Sequence, residues 1–280
     1  MASKIWLITG ASKGFGRVWT TAALERGDNV IATARNLKDI EDLTEKYNHS
    51  IFPVQLDVNG RRACFDAVKQ GADYFGGKID ILISNAGYGQ FGAVEELNED
   101  EARGQMETNF FGSLWMIQAV LPYMRQQKSG RILQVSSIAG IAAFPNLGIY
   151  HASKWAVEGL CETLSQEVER FGIKVTLIEP GGYATEWGTA SAKHSKSMLQ
   201  YDAMREERRS SSGKMEKGDP NATAAAILKL VDSDEPPLRL FLGKNNYRMA
   251  EQLYKKRLDT WRAWQEVSEK AQGELELAKR

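Results

Sequence analysis

A short apolar run, Ile5-Trp6-Leu7-Ile8, gives way to Thr9-Gly10-Ala11-Ser12-Lys13-Gly14-Phe15-Gly16, after which an amphipathic segment from Arg17 to Glu25 closes at Gly27. Four apolar residues ended by a turn signal read as a buried strand. The sequence therefore predicts a strand, a glycine-rich turn and a helix start in immediate succession. Glycines let the backbone approach a pyrophosphate, while the amides and dipole at a helix start favour its negative charge. A tight strand-to-helix connection uses the same residues, so the turn alone leaves both readings open.

The second strand, Asn29 to Thr33, ends about twenty residues beyond the glycines, where an NAD-binding chain carries an acid for the ribose 2′-hydroxyl. Ala34-Arg35-Asn36 stand there instead. Arginine suits a 2′-phosphate, and Lys13 within the turn can reach the same group. Charge-assisted hydrogen bonds of about 1.5–3 kcal/mol each give NADP an advantage of roughly tenfold to a hundredfold. A solvated arginine at a loop tip is the plain alternative.

Segments then alternate. Leu37 to Tyr47 predicts a helix, Ser50 to Leu56 a strand ended by Asp57-Val58, Arg61 to Phe75 a helix, and Ile79 to Ser84 a fourth strand stopped by Asn85-Ala86-Gly87. One long helix carrying Asn109 is expected from Glu99 to about Gln126, then a fifth strand from Arg131 to Ser136 with Ser137 just past it. A helix over Tyr150 to Phe171, a sixth strand from Lys174 to Ile178, a helix from Asp219 to Asp232 and a strand at Leu238 to Gly243 complete the rhythm. This pattern specifies an α/β fold, a Rossmann-type doubly wound parallel sheet of about seven strands with helices on both faces. Ligands in such sheets bind at the carboxyl ends of the strands, which makes Asn85, Ala86 and Gly87 candidate cofactor contacts. Asp57 can accept from an adenine amino group or simply cap a turn.

Tyr150 and Lys154 stand four apart, and Ser137 lies thirteen residues before the tyrosine. On a helix that spacing brings the two β-carbons to roughly 5–6 Å. A phenol that titrates near pH 10 is expected to fall by about 1–3 units beside a cation, which makes proton transfer feasible near neutrality. Tyr74 and Lys78 share the spacing, but Gly76-Gly77 argues against a helix between them and Arg61, not serine, stands thirteen residues earlier.

Thr9-Gly10-x-x-x-Gly14-x-Gly16, Asn85-Ala86-Gly87, Asn109, Ser137, Tyr150-x-x-x-Lys154 and Pro180-Gly181-x-x-x-Thr185 together resemble the short-chain dehydrogenases/reductases over about residues 3–190. Lys13 and Arg35 look like that family's NADP-preferring variants. The resemblance implies catalytic roles for Asn109, Ser137, Tyr150 and Lys154. Tyr150 would be the general acid or base, and Lys154 would lower its pKa and bind the nicotinamide ribose. Ser137 would bond the substrate oxygen, and Asn109 would hold a water linking Lys154 to solvent. It further implies cofactor contacts from Gly10, Ser12, Lys13, Gly14, Phe15, Gly16, Arg35, Asn36, Asp57 and Val58, with Pro180, Gly181 and Thr185 flanking the nicotinamide. Phe144, Leu147, Tyr183 and Trp187, with Ser137, are the expected substrate contacts. Ser84 departs from the asparagine many members carry there.

Thirty-six basic and 36 acidic residues cancel, so nothing suggests a nucleic-acid partner. Cys64 and Cys161 fit reduced thiols, and His49, His151 and His194 have no metal-ligand spacing, so no metal is expected. No run approaches the roughly eighteen apolar residues of a membrane span. A cytoplasmic chain without a membrane partner is expected. Residues 1–245 are expected to form one catalytic domain, with 190–218 as a mobile substrate lid or a surface excursion. Residues 246–280 are expected to form a helical extension, packed on that domain or on a second subunit, with Trp261 and Trp264 as packing anchors. By the resemblance, a homodimer would form through the helices after strands four and five.

The leading reading is NADP(H)-dependent interconversion of a lipophilic ketone or aldehyde with its alcohol. A sugar-nucleotide epimerase or dehydratase shares the fold but spaces the glycines differently. A catalytically idle NADPH-binding regulator would tend to have lost one of the four catalytic residues.

Overall fold

The computed structural model of the chain describes residues 3–212 and 216–273. Residues 213–215 of the expected lid and 274–280 of the expected tail lie outside the described residues. In chain order the elements are β1 (Ile5–Ile8), α1 (Gly14–Glu25), β2 (Asn29–Ala34), α2 (Glu41–Tyr47), β3 (Ile51–Gln55), α3 (Arg61–Tyr74), β4 (Ile81–Ser84) and β5 (Gln90–Phe91). They continue as α4 (Glu99–Met106), α5 (Gly112–Gln127), β6 (Gly130–Val135), α6 (Gly148–Val168), β7 (Ile173–Pro180), β8 (Lys193–His194) and α7 (Asp202–Ser212). The last are α8 (Thr223–Asp232), β9 (Arg239–Leu242), α9 (Asn246–Ala263) and α10 (Gln265–Gln272).

Seven of these strands form one parallel sheet in the order β3-β2-β1-β4-β6-β7-β9. The order reverses between β1 and β4, so their carboxyl ends diverge into the crevice where open α/β sheets bind ligands. Thr9-Gly10 and Asn85 occupy that crevice. Helices cover both faces because the inner strands are apolar on both sides. Ile5, Leu7, Ile31 and Leu82 pack with Met116, Val120 and Cys161 beneath α3, α5 and α6, whereas Trp6, Ile8, Val30 and Ile83 pack with Trp19, Leu24 and Ile227 beneath α1, α2 and α8. Both buried tryptophans satisfy their indole donors, Trp6 Nε1 on Asp28 Oδ2 at 2.8 Å and Trp19 Nε1 on Thr223 Oγ1 at 2.8 Å. The second bond ties α1 to the start of α8.

Departures from the sequence reading have local causes. Leu37–Ile40 is a 3₁₀ turn capped by Asn36, whose Oδ1 accepts from the Lys38 amide, and only then does α2 begin. The single helix expected from Glu99 to Gln126 is two, joined by a π-type turn over Glu107–Phe111. Such a turn closes i to i+5 bonds and so takes one more residue than an α-helical turn. Asn109 sits inside it.

The segment expected as a lid carries more order than its polar composition suggests. β8 pairs in parallel with β5, and α7 is held by Arg205, which bonds Glu96 Oε1 at 2.6 Å and the Met198 carbonyl at 2.6 Å. Ser195 Oγ donates to Glu101 Oε2 at 2.9 Å, and Arg208 bonds the Pro145 carbonyl. In the tail, Asn246 and Ala250 are buried, and Asn246 Nδ2 donates to the Glu179 carbonyl at 3.1 Å and the Leu242 carbonyl at 2.9 Å. Arg257 donates to the Ile141 carbonyl at 2.7 Å. Trp261 and Trp264, expected as anchors, are 61% and 64% exposed, so the polar contacts of Asn246 and Arg257 anchor the tail on this chain instead.

Candidate active site

The glycine turn leaves β1 and is pinned against the end of β4. Thr9 Oγ1 accepts the Asn85 amide at 2.8 Å and the Ala86 amide at 2.9 Å, while Asn85 Nδ2 donates to the Thr9 carbonyl at 2.9 Å. Gly10 and Gly14 have φ of +68° and +55°, conformations that favour glycine, and a β-carbon on Gly16 would stand 2.2 Å from the Gly10 carbonyl oxygen. The start of α1 has no side-chain cap and no acidic residue in its first turn. Its leading amides and dipole are thus available to an anion, and the close-packed glycine cradle fits the pyrophosphate of a dinucleotide.

Around this cradle the expected cofactor residues divide. Lys13 lies 3.7 Å from Glu186, and both are about half exposed. Thr185 packs over Gly14, and its Oγ1 accepts from the Trp187 amide at 3.4 Å. Arg35 is exposed at the end of β2, with its carbonyl taken by Gln55 Nε2 at 2.9 Å. Asp57 Oδ1 accepts from the Asn59 amide at 3.0 Å, which is the turn-capping alternative, and buried Val58 packs against Gly112. Gly87 packs against Asn109 Oδ1. Gly181 leaves room for Asn246, whose Oδ1 would lie 2.5 Å from a β-carbon there.

Tyr150 and Lys154 lie on the buried face of α6, and the Lys154 ammonium is 5.7 Å from the Tyr150 ring centroid. Lys154 Nζ donates to the Val135 carbonyl at 2.9 Å. Ser137, just past β6, donates to the Pro180 carbonyl at 3.3 Å, accepts from the Ala139 amide at 3.1 Å and hydrogen-bonds Tyr150. The expected lowering of the phenol's pKa is overturned. Burial pushes Tyr150 up to about 12, with the Ser137 bond opposing, and burial pulls Lys154 down to about 8, with the Glu158 charge opposing. Both groups are removed from water, so each is biased toward its neutral form.

Asn109 is fully engaged. Its Oδ1 accepts from the Tyr88 amide at 3.1 Å, and its Nδ2 donates to the Tyr88 carbonyl at 3.1 Å and Ser153 Oγ at 3.0 Å. Its carbonyl accepts from Ser113 Oγ at 2.9 Å. The residue stitches the loop after β4 to α6.

Trp187 covers the phenol, with ring centroids 4.9 Å apart, and packs on Phe91 at 5.5 Å; Leu147 is buried in the same cluster. Phe144 turns toward His151, its ring 5.5 Å away, and the Arg208 guanidinium lies 6.0 Å from it. Tyr183, expected with the substrate contacts, packs instead edge-on against Phe15 at 5.1 Å, where the Phe15–Trp19 stack offers a larger apolar surface.

Sequence reasoning overlooked His151. Its Nδ1 donates to the Ala139 carbonyl at 2.9 Å, and its Nε2 accepts from the Phe144 amide at 2.9 Å, an arrangement that the neutral ring alone satisfies. Burial lowers its pKa from the ordinary value of 6.5. The unfolded chain therefore binds the proton more readily, and the stability contributed by the neutral ring is complete above about 6.5 and lost as pH falls through the lower folded value. We expect the gap in melting temperature between wild type and His151→Gln to narrow as the pH is taken from about 7.5 to about 5, read by thermal denaturation at each pH.

The sequence profile of the short chain dehydrogenases matches residues 4–196. Oxidoreductase BOA17 of Botryotinia fuckeliana (strain B05.10) is 44% identical over 246 residues, covering 86% of this chain and 89% of that protein. A 3-ketodihydrosphingosine reductase of Bacteroides thetaiotaomicron is 38% identical over 248 residues, covering 87% of this chain and 89% of its own. The crystal structure of a short-chain dehydrogenase from Streptomyces avermitilis is 35% identical with a TM-score of 0.90, and the match covers 96% of this chain and 98% of that one. With a family profile spanning most of the sheet and relatives aligned over most of their own length, this chain belongs to the short-chain dehydrogenase/reductase family and is an oxidoreductase.

Proposed function

We propose that the chain reduces a lipophilic ketone or aldehyde with NADPH, or oxidises the corresponding alcohol with NADP. The observation that carries this reading is the meeting of Ser137, Tyr150 and Lys154 in a chain whose turn between β1 and α1 is a close-packed glycine cradle. The nicotinamide supplies or accepts the hydride when bound. Gly10, Ser12, Gly14, Phe15 and Gly16 would hold its pyrophosphate, Lys13, Arg35 and Asn36 its 2′-phosphate end, Asp57 and Val58 its adenine, and Asn85, Ala86, Gly87, Pro180, Gly181 and Thr185 its nicotinamide half.

In reduction Tyr150 Oη gives its proton to the substrate oxygen, while Ser137 Oγ hydrogen-bonds that oxygen and orients it. A phenol raised to about 12 carries its proton at neutral pH. Lys154 would stabilise the phenolate left behind and would bond the ribose of a bound nicotinamide nucleotide. Phe91, Leu147 and Trp187 wall the substrate with apolar surface, which favours a lipophilic carbonyl over a sugar or an acid. A relative named for the reduction of a 3-keto lipid supports the same substrate class. Among the described residues no helix is long and apolar enough to cross a membrane. A cytoplasmic homodimer with a single catalytic domain over residues 1–245 and the 190–218 segment over the substrate completes the proposal.

The test is NADPH against NADH oxidation over a panel of aliphatic and aromatic ketones and aldehydes. Arg35→Ala is expected to raise the KM for NADPH roughly tenfold to a hundredfold, the worth of about 1.5–3 kcal/mol, and to leave that for NADH within about twofold. Equal KM changes for both cofactors would sever Arg35 from the 2′-phosphate.

A further inference from the structure

Beyond Lys154, α6 carries two more ionisable groups at the same interval, the buried Glu158 and the exposed Glu162. Residues four apart are neighbours on a helix surface, so Tyr150, Lys154, Glu158 and Glu162 form one ladder from the phenol toward solvent. Lys154 and Glu158 are each 6% exposed. Glu158 Oε2 accepts from Arg239 Nε at 3.0 Å, and Arg239 Nη2 donates to Glu162 Oε2 at 2.8 Å, so β9 fixes the ladder from the side. Glu179 at the end of β7 faces the same guanidinium, with Oε1 3.5 Å from Arg239 Nε. It is fully buried, and neither of its oxygens has a hydrogen-bond partner among the described residues. Cys161, one turn along, is buried beside the same charges.

Counting charges decides the state of this cluster. Lys154 and Arg239 supply two positive charges, and Glu158 and Glu162 balance them. A third carboxylate at Glu179 would be a buried and uncompensated negative charge. Burial and the neighbouring Glu158 push Glu179 up to about 8, which holds it protonated at neutral pH. Burial raises the Glu158 pKa as well, but bonds from Ser136 and Arg239 and the Lys154 charge oppose that rise, so Glu158, held by Arg239 Nε at 3.0 Å, is the carboxylate placed to support the lysine.

We propose that Glu158 is a positioning residue for the reaction, whose carboxylate, fixed by Arg239 one helical turn from Lys154, keeps the Lys154 ammonium charged in its buried site. The proposal rests on the reading of Lys154 as the partner of Tyr150 and of the nicotinamide ribose. Burial alone lowers the lysine, and the carboxylate counters it, so removing that charge lets Lys154 lose its proton at a lower pH. A neutral amine stabilises the phenolate poorly and donates fewer hydrogen bonds to a ribose. The defect in a Glu158→Gln enzyme is therefore tied to pH, absent where Lys154 is still protonated and large where it is not.

The test follows two quantities over about pH 5.5 to 9.5: the dissociation constant of NADPH, read from tryptophan fluorescence, and kcat/KM for carbonyl reduction. In Glu158→Gln the descending limb of both profiles is expected to move down by about 1 unit or more, with losses of about tenfold at pH 8 and less than about twofold at pH 6. Glu162→Gln, which touches the same arginine from the exposed side, is expected to keep the wild-type limb. Should Glu158→Gln melt too low to assay, Glu158→Asp keeps the charge at a greater distance and is expected to show a smaller displacement in the same direction. A profile that is scaled down uniformly, with its limb in place, overturns the proposal and leaves Glu158 a structural residue. A displaced NADPH-binding limb in a protein that reduces no carbonyl would sustain the proposal and sink the reaction assigned above, whereas a wild type that binds no NADPH sinks both.

Discussion

Tyr150→Phe is expected to lower kcat for carbonyl reduction by roughly 10²–10⁴-fold, the usual worth of a positioned general acid, while the NADPH dissociation constant stays within about twofold. The substitution removes one oxygen and keeps the ring, so the contact with Trp187 at 4.9 Å survives. Ser137 retains the Ala139 amide and the Pro180 carbonyl as partners, and the fold should not suffer. Removing a hydroxyl from a buried position also removes its desolvation cost, so the melting temperature is expected to hold or rise slightly. Single-turnover reduction with NADPH in excess separates this loss from slow product release. Retention of more than about a tenth of wild-type activity would take the phenol out of the mechanism.

Gly16→Ala carries the second large effect. The new methyl would meet the Gly10 carbonyl oxygen at 2.2 Å, Asn85 Nδ2 at 2.6 Å and the Gly10 carbonyl carbon at 2.9 Å. Two of these atoms are backbone and the third is held by the Thr9 carbonyl, so no flexible side chain can yield. The turn itself must move. Overpacking of this kind costs about 1–3 kcal/mol of stability, and because the displaced atoms form the anion cradle, NADPH affinity is expected to fall at least about a hundredfold. Gly159→Ala is the contrasting case. That glycine lies in α6 with nothing within 4 Å of an added β-carbon, and alanine there should stabilise the helix by up to about 1 kcal/mol. Thermal melts and fluorescence titrations on both variants check the pair. Undiminished NADPH affinity in Gly16→Ala would show that the cofactor does not use this turn.

Much of this was legible in the sequence because it is local. A strand followed by glycines and a helix start, or a tyrosine and lysine one helical turn apart, needs only backbone geometry to be understood. What escaped depends on distant partners. The ring of Tyr183 could not be assigned to Phe15 before the end of β7 had been brought over α1. The π-type turn around Asn109 falls inside an otherwise continuous helical run. The direction of the Tyr150 shift was misjudged for a related reason. The spacing of Tyr150 and Lys154 reveals a cation nearby but not the loss of water around both groups, and burial is the larger influence. Trp261 and Trp264, expected as anchors on this domain or on a second subunit, are not buried by the described residues of this chain.

The segment from Lys193 to Arg208 joins the rest of the molecule through a two-residue strand pair and through side-chain bonds at Glu96, Glu101 and Pro145, and no strand of the main sheet runs through it. It borders Phe91, Phe144 and, through the preceding turn, Trp187. Reaction and selectivity are thus written on different materials. On the proposed reading, the residues that would move a proton sit on strand ends and a helix that the core cannot surrender, whereas the wall they would face is attached by a few replaceable clasps. A lineage can exchange one substrate for another by rewriting that wall, and inherit its chemistry unchanged.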